Sequence, residues 1–101
     1  MKIRLKYDGF PPKETTIEDI LSGWIPLDGR DGPKPIGYDL FAATAKDGTD
    51  IFVGDRVLVR GTKRVGEYET DVIIRHNQPC LDVNKTYLID SYATSAILQK
   101  L

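Results

Sequence analysis

The side chains with the clearest chemical potential in this chain are His76 and Cys80, which lie four residues apart in the segment "HNQPC". A thiol and an imidazole can form a nucleophilic pair, or they can supply two ligands to a metal ion. A structural zinc site needs four nitrogen or sulfur ligands, whereas the chain has one histidine and one cysteine. A cysteine nucleophile needs a histidine held in a fixed geometry, and Pro79 interrupts a segment that is typical of a loop. The sequence therefore predicts neither a catalytic pair nor a metal site here.

The proline-rich segment "PLDGRDGPKP", residues 26–35, is the second candidate for ligand binding. It matches an acidic calcium loop only in part, because the alternating acidic positions and the terminal glutamate of such a loop are missing. The chain also has no glycine-rich phosphate-binding motif and no serine-centred nucleophile elbow. These features predict a non-enzymatic protein with no cofactor and no bound metal, in which residues 26–35 form a surface loop.

A cluster of arginine and lysine residues offers a third kind of chemistry, which is contact with nucleic acid. Period-two alternation places Arg56 and Arg60 on one outward side of a strand, and Lys63 and Arg64 follow at the tip of the next turn. We call these four residues the basic face. Acidic residues are interleaved with it, namely Asp55, Glu67, Glu69 and Asp71. Two interpretations stay open: a solvated strand with cross-strand ion pairs, or a nucleic-acid-binding surface.

Composition limits the class of protein. A chain of 101 residues, 41% of them hydrophobic, has the size of one domain, so we expect residues 1–101 to form a single domain. A formal net charge of -1 argues against indiscriminate binding to phosphate. A lone cysteine cannot form an internal disulfide, which favours a reducing cytoplasm. No stretch approaches the roughly 18–20 apolar residues of a membrane span, so we expect no membrane partner.

Most of the chain has the pattern of short strands. Residues 1–7, "MKIRLKY", alternate apolar and basic side chains as expected for a half-buried strand, and Asp8-Gly9 and Pro11-Pro12 are expected to stop this strand. Further strands are predicted in "IGYDLFAAT", "TDIFVGDRVLVRG", "EYETDVIIRHN", "KTYLIDSY" and "SAILQK", with "QPCLDVN" as a loop. Five to seven short strands with turns every eight to twelve residues indicate a small barrel or sandwich. We assign the barrel to residues 46–101, and an N-terminal strand, a short helix and the loop to residues 1–45.

The short N-terminal helix is predicted in "TTIEDILSGW". Thr15 and Glu18 have the spacing of a capping box, in which each side chain accepts a hydrogen bond from the backbone of the other residue. Four apolar residues fall on one stripe, namely Ile17, Ile20, Leu21 and Trp24. We expect this stripe to pack the helix on the barrel.

A Gly-Asp corner directly precedes the most regular strand of the chain. Glycine permits a positive φ, and aspartate can accept hydrogen bonds from nearby backbone N–H groups. A catalytic role for the corner would need a neighbouring base or nucleophile, and the adjacent sequence offers none. We therefore predict that Gly54 and Asp55 form a structural turn.

The segment "KDGTDIFVGDRV" around this corner resembles the signature of the YopX-like family of phage and prophage proteins. The matching residues are Lys46, Gly48, Ile51, Phe52, Gly54, Asp55 and Val57. The family usually has a Tyr-Thr-Gly-Leu run before the turn, where this chain has "FAAT", residues 41–44. The resemblance implies an SH3-like barrel, a viral or prophage origin, the cytoplasm of a bacterial host as the location, and no established enzymatic activity.

Two function classes follow from these observations. The first is an accessory protein that binds a host or viral protein, with inhibition of a nucleic-acid enzyme or a defence complex as the form that the resemblance favours. Its candidate contact residues are Trp24, Arg30, Lys34 and Tyr38, although Trp24 has a second interpretation as the anchor of the helix. The alternative is a nucleic-acid-binding regulatory protein that uses the basic face. Formation of a homo-oligomer stays open in both cases.

Overall fold

The computed structural model describes residues 1–23, 32–61, 64, 66–88 and 96–101 of the chain. Within these residues the backbone forms eight strands and one short helix. The predicted mainly β fold is therefore confirmed, with more strands than the five to seven expected. The chain divides into two compact units, Met1–Phe41 and Ala42–Leu101.

The first unit is built around β1 (Lys2–Tyr7), which lies between β2 (Phe10–Thr16) and the beginning of β3 (Gly37–Thr44), with antiparallel pairing on both sides. Alternation along β1 directs Ile3 and Leu5 to one face, where both are buried. The opposite face is not the solvated row of cations that the sequence pattern indicates, because Arg4 is only 9% exposed. The centre of β1 is therefore buried on both faces.

Strand β2 lies where the sequence predicts a strand end. Pro11 and Pro12 fall inside β2, and both are exposed. Proline is tolerated on an edge strand, where a missing N–H need not interrupt the ladder, and β2 is the outer strand in the order β2-β1-β3-β4. The predicted end of the first strand is confirmed, since β1 ends at Tyr7, but the prolines belong to a second strand that the sequence did not predict. The chain reverses at Asp8-Gly9, where Gly9 has a φ of 77°, and β2 then continues to Thr16.

The helical segment is α1 (Ile17–Leu21), which is shorter than the predicted segment and begins later. Its N-cap is Thr16, whose hydroxyl accepts a hydrogen bond from the Asp19 backbone N–H at 3.1 Å, so the predicted capping box of Thr15 and Glu18 is wrong. Thr15 is instead paired with β1, which delays the start of the helix by one residue. The Glu18 carboxylate accepts hydrogen bonds from the amino group of Met1, and this interaction lowers the pKa of Glu18.

The predicted packing of the apolar helical stripe is also wrong for the part that the structure describes. No residue of α1 is buried, and Leu21 is 81% exposed. Five residues make little more than one turn, which is too short to present a four-residue stripe to a core. Trp24, the last member of the predicted stripe, lies outside the described residues.

The second unit contains the end of β3 together with β4 (Asp50–Phe52), β5 (Arg56–Val59), β6 (Tyr68–Arg75), β7 (Gln78–Leu81) and β8 (Ile97–Lys100). Its antiparallel sheet has the strand order β7-β6-β5-β8. The alternation predicted for β5 is present, since Val57 and Val59 are buried and Arg56 is exposed. The core cluster of this unit consists of Ala42, Ala43, Ala45, Ile51, Val57, Val59, Val72, Leu81, Leu88 and Ile97.

The hairpin between β6 and β7 corrects the loop that was expected for "QPCLDVN". His76 and Asn77 have φ values of 54° and 62°, and two consecutive positive φ angles are the feature of the two-residue turn that best matches the twist of a hairpin. The chain reverses at once, so Cys80 pairs with Ile73 in a strand. The strand expected for "KTYLIDSY" is reduced, within the described residues, to an isolated bridge between Tyr87 and Cys80, and residues 89–95 lie outside them.

The Gly54-Asp55 corner connects β4 to β5 through a short set of hydrogen bonds. Gly54 has a φ of 99°, and its backbone N–H donates to the Val72 carbonyl at 2.8 Å. The Asp55 side chain is nearly buried, and its Oδ2 accepts a hydrogen bond from the Phe52 N–H at 2.9 Å. The Asp55 carbonyl accepts from the Val72 N–H at 2.9 Å. The corner thus fixes the end of β4 and the start of β5 against β6.

We predict that Gly54→Val destabilises the protein by about 1–3 kcal/mol, because a β-branched residue is strained at a φ of 99°. The free energy of unfolding, measured by chemical denaturation, checks this. Gly37→Val is the matched control, since Gly37 does not have a positive φ and an added Cβ would meet only the flexible end of Lys6, at 3.5 Å. Equal unfolding free energies for the two variants would contradict the role assigned to the corner.

Candidate functional site

Two neighbouring hollows lie on the surface of the first unit. One has a volume of about 320 Å³, with apolar walls formed by Tyr7, Phe10, Pro12 and Ile36 and a charged floor formed by Arg4, Lys6 and Asp39. The other has a volume of about 260 Å³ and is lined by Leu5, Pro35, Ile36, Gly37 and Tyr38. Ile36 lines both hollows. Such concave, mostly apolar surfaces with a few polar groups are typical of binding sites.

The pairing of β1 with β3 determines which side chains each hollow contains. Leu5 is opposite Tyr38 and Arg4 is opposite Asp39, so these two pairs lie on different faces of the sheet. The Ile36 backbone N–H donates to the Lys6 carbonyl at 2.8 Å, which fixes Ile36 beside the start of β3. Because Ile36 stands at the end of the paired region, its side chain is shared by the two hollows.

The floor of the larger hollow is a nearly buried ion pair. Asp39 Oδ2 accepts hydrogen bonds from Arg4 Nη2 at 2.7 Å and from Arg4 Nε at 3.0 Å. The two side chains are only 11% and 15% exposed, and Lys6 Nζ lies 3.5 Å from the other carboxylate oxygen. Two cations therefore share one carboxylate, and the floor carries a net positive charge.

Three large hydrophobic side chains around the hollows are exposed to solvent: Phe10 by 58%, Ile36 by 70% and Tyr38 by 62%. We call them the first-unit patch. Phe10 lines the larger hollow and Tyr38 the smaller one, on opposite faces of the sheet, and Ile36 at the end of the sheet borders both. Single exposed hydrophobic residues are common, but three of them around one end of a sheet are typical of a protein–protein contact. Tyr38 was predicted from the sequence as a contact residue, whereas Phe10 and Ile36 were not.

The remaining residues predicted for protein binding have different outcomes. Lys34 is exposed and directly precedes Pro35, which lines the smaller hollow. Trp24 and Arg30 lie outside the described residues.

One signal in the sequence pointed to the ion pair: Asp39 is a carboxylate in an otherwise apolar strand, and such a residue needs a cation or several hydrogen-bond donors when buried.

The basic face of the second unit is partly neutralised. Arg56 Nε lies 3.3 Å from Glu69 Oε2 and Arg56 Nη1 lies 3.2 Å from Asp71 Oδ1, across the pairing of β5 with β6. The hydrogen bond from Arg56 to Glu69, and to a smaller extent the one to Asp71, raise the pKa of Arg56. Arg60 and Arg64 are exposed, and Lys63 lies outside the described residues. Arg56 thus takes part in the cross-strand ion pairs that the first interpretation of this face predicts.

The structure separates His76 from Cys80. His76 is exposed in the turn between β6 and β7, whereas Cys80 is fully buried in β7. Within the described part of the chain, no group of three or more histidine, cysteine, aspartate or glutamate residues has an arrangement that could hold a metal ion. A buried thiol and a solvent-exposed imidazole are not arranged for nucleophilic catalysis.

Comparisons with protein-family models, with curated proteins and with solved structures gave no match to this chain. Among the described residues, no helix has the length and apolar character needed to span a membrane.

We predict that removing one member of the ion pair on the floor destabilises the first unit more than removing both members. Asp39→Leu should cost about 3 kcal/mol, because the nearly buried Arg4 guanidinium then loses its two hydrogen bonds to the carboxylate. The double variant Arg4→Met/Asp39→Leu should cost less than Asp39→Leu alone, since it removes both charges. Denaturant unfolding of the single and double variants measures this difference.

Asp71→Ala is the control for that measurement. Its side chain and that of Arg56 are each about half exposed, so loss of their contact should cost less than about 1 kcal/mol. A double variant at Arg4 and Asp39 that is less stable than Asp39→Leu would contradict the explanation.

Proposed function

We propose that this chain is a non-enzymatic accessory protein that binds another protein through the first-unit patch. The observation that carries the proposal is the group formed by Phe10, Ile36 and Tyr38, which are all more than half exposed and line two hollows that share Ile36. Aromatic and large aliphatic side chains in such positions are the anchors that dominate protein–protein binding energy. The charged floor beneath Phe10 and Ile36 adds the polar groups that orient a partner.

The resemblance of residues 46–57 to the YopX-like family extends the proposal. We propose a phage or prophage origin, an SH3-like barrel for the second unit, and action in the cytoplasm of a bacterial host. The partner is then a host or viral protein, and inhibition of a nucleic-acid enzyme or of a defence complex is the consequence of binding. The Gly54-Asp55 corner, which lies within the resembling segment, supports the fold part of this proposal through its positive φ and its hydrogen bonds to β6.

The alternative proposal, a nucleic-acid-binding protein, has weaker support from the geometry. Affinity for nucleic acid depends on cations that can release counterions from phosphates. Arg56, which begins the basic face, already contacts two carboxylates. Arg60 and Arg64 are exposed cations in a chain whose net charge is -1. We therefore favour protein binding.

The proposal predicts that a binding partner is lost when the first-unit patch is made polar. The immobilised protein is incubated with a nuclease-treated bacterial lysate, and retained proteins are quantified by mass spectrometry. Ile36→Ser/Tyr38→Ser should reduce retention of the specific partner by at least about tenfold, because two anchor side chains are removed. Val83→Ser is the matched control, since Val83 is 59% exposed and belongs to the second unit.

Equal retention of the partner by the unsubstituted protein, by Ile36→Ser/Tyr38→Ser and by Val83→Ser would contradict the proposal. A second arm measures binding to a mixed-sequence oligonucleotide at two salt concentrations. Strong, salt-sensitive binding that is lost on Arg60→Glu/Arg64→Glu would favour the nucleic-acid alternative instead.

A further inference from the structure

Strand β2 forms an edge of the first unit, and within the described residues no strand lies on its outer side. The outer strands of the second sheet differ in this respect. Residues 85–88 run along β7, where the Leu81 N–H donates to Thr86 O and the Leu88 N–H donates to Pro79 O, each at 2.9 Å. On β8, the Ile97 carbonyl accepts a hydrogen bond from the Lys46 N–H at 2.8 Å.

The register of β1 and β2 shows which backbone groups of β2 point outward. The Ile17 N–H donates to the Met1 carbonyl at 2.9 Å, and Ile3 is opposite Thr15 in the same register. Hydrogen-bonded pairs alternate with non-hydrogen-bonded pairs in an antiparallel ladder. Thr15 therefore faces β1 with its N–H and C=O, while Glu14 directs both groups away from β1.

The same alternation gives the outer edge a short run of hydrogen-bonding groups. Lys13, opposite Leu5, directs its N–H toward β1, so the preceding Pro12 carbonyl points outward. The Thr16 N–H points outward by the same reasoning. The edge thus presents the Pro12 carbonyl, both groups of Glu14 and the Thr16 N–H, which is the pattern needed to accept an added strand.

Charge argues for a partner other than a second copy of this chain. The two-fold antiparallel register of two β2 edges that satisfies all of the outward groups would place the two Glu14 carboxylates directly opposite each other. Like charges in that position are destabilising, whereas an opposite charge is favourable. Glu14 is exposed, and among the described residues no cation is paired with it. The edge therefore selects a strand with a lysine or arginine opposite Glu14.

The neighbouring side chains specify the next position of the partner. Glu14 is opposite Arg4 in the register, and Pro12 and Phe10 line the larger hollow with Arg4. These β2 side chains therefore share one face of the sheet. A partner residue opposite Pro12, two positions from the basic residue, would contact exposed Pro12 and Phe10, so an apolar side chain fits there.

We propose that the β2 edge binds an extended segment of a protein partner by strand addition, and that this segment carries a basic residue opposite Glu14 with an apolar residue two positions away. This inference rests on the proposed protein-binding function and gives the chemistry of the partner. The backbone hydrogen bonds align the segment on the edge, the side chain opposite Glu14 supplies specificity, and apolar contact with Pro12 and Phe10 adds affinity.

Two synthetic peptides test the proposal without knowledge of the natural partner. The first has the sequence Thr-Val-Thr-Lys-Thr-Val-Thr with blocked termini, and the second has glutamate in place of lysine. Both place apolar residues on each side of the central charge, so either strand direction can be used. Binding is followed by amide chemical shifts of the isotope-labelled protein. We expect changes centred on the Lys13, Glu14 and Thr16 amides, and a Kd that is about three- to tenfold lower for the lysine peptide.

Three variants at one position separate the backbone from the side chain. Glu14→Lys keeps the outward N–H and should reverse the preference, so that the glutamate peptide binds more tightly. Glu14→Ala should abolish the preference while binding persists. Glu14→Pro removes the outward N–H and should weaken both peptides by about tenfold. The first two variants keep the test conclusive if Glu14→Pro fails to fold.

Several outcomes would overturn the inference: equal Kd values for the two peptides, an unchanged preference in Glu14→Lys, or shifts confined to residues outside β2. A dimer at neutral pH that Glu14→Ala strengthens would also overturn it, since the second copy would then be the occupant. The lysate experiment distinguishes this inference from the proposed function. Partner retention that depends on Ile36 and Tyr38 but not on Glu14 would refute strand addition and leave the protein-binding function supported.

Discussion

A carboxylate that is buried in a sheet must be paired, and this requirement organises the first unit. Asp39 receives two hydrogen bonds from Arg4 across the β1–β3 pairing. A slip of β3 by one residue against β1 would move the Asp39 carboxylate to the face of the sheet opposite to Arg4 and break the pair. The pair therefore specifies the register, and the register in turn places Tyr38 beside Leu5 and holds Ile36 at the end of the sheet.

The second unit also contains a nearly buried carboxylate that must be paired, and here a backbone N–H group contributes to the pairing. Asp55 is nearly buried in the corner before β5, and its carboxylate accepts a hydrogen bond from a backbone N–H rather than from a guanidinium group. Lys100 Nζ lies 3.8 Å from the other carboxylate oxygen. The Phe52 contact is three residues away in sequence, and the Lys100 contact comes from β8, which pairs with β5. Both contacts therefore stabilise the corner itself. The Gly-Asp pair is an architectural feature, and the candidate binding surface lies elsewhere.

Sequence reasoning succeeded where the determining interactions are local. The alternation of Ile3 and Leu5, and of Val57 and Val59, follows from the period of a strand and needs no knowledge of its neighbours. It failed where the answer depends on strand order. Pro11 and Pro12 are compatible with a strand only because β2 is an edge, and the edge position is a property of the whole sheet.

The candidate site shows the same division. Tyr38 was identified from its type and position. The partner of Arg4 is 35 residues away in sequence, and the apolar strand around Asp39 indicates that this carboxylate needs a cation or donors without indicating which residue supplies them. The two carboxylates beside Arg56 come from an adjacent strand; the sequence indicated both Glu69 and Asp71, but left open whether they pair with the basic face. Phe10 was missed because the prolines beside it suggested a strand end rather than a sheet edge.

The prolines and the helix also limit what the β2 edge can bind. Pro12 contributes no N–H, and beyond Thr16 the chain enters α1, so the open ladder ends within a few residues on either side of Glu14. Four backbone hydrogen bonds contribute about 2–6 kcal/mol, and ordering an extended peptide costs a comparable free energy. Backbone pairing alone is therefore too weak for stable binding. A partner gains useful affinity only when it also covers the exposed Phe10 ring next to the ladder, which joins the edge to the part of the first-unit patch that lines the larger hollow.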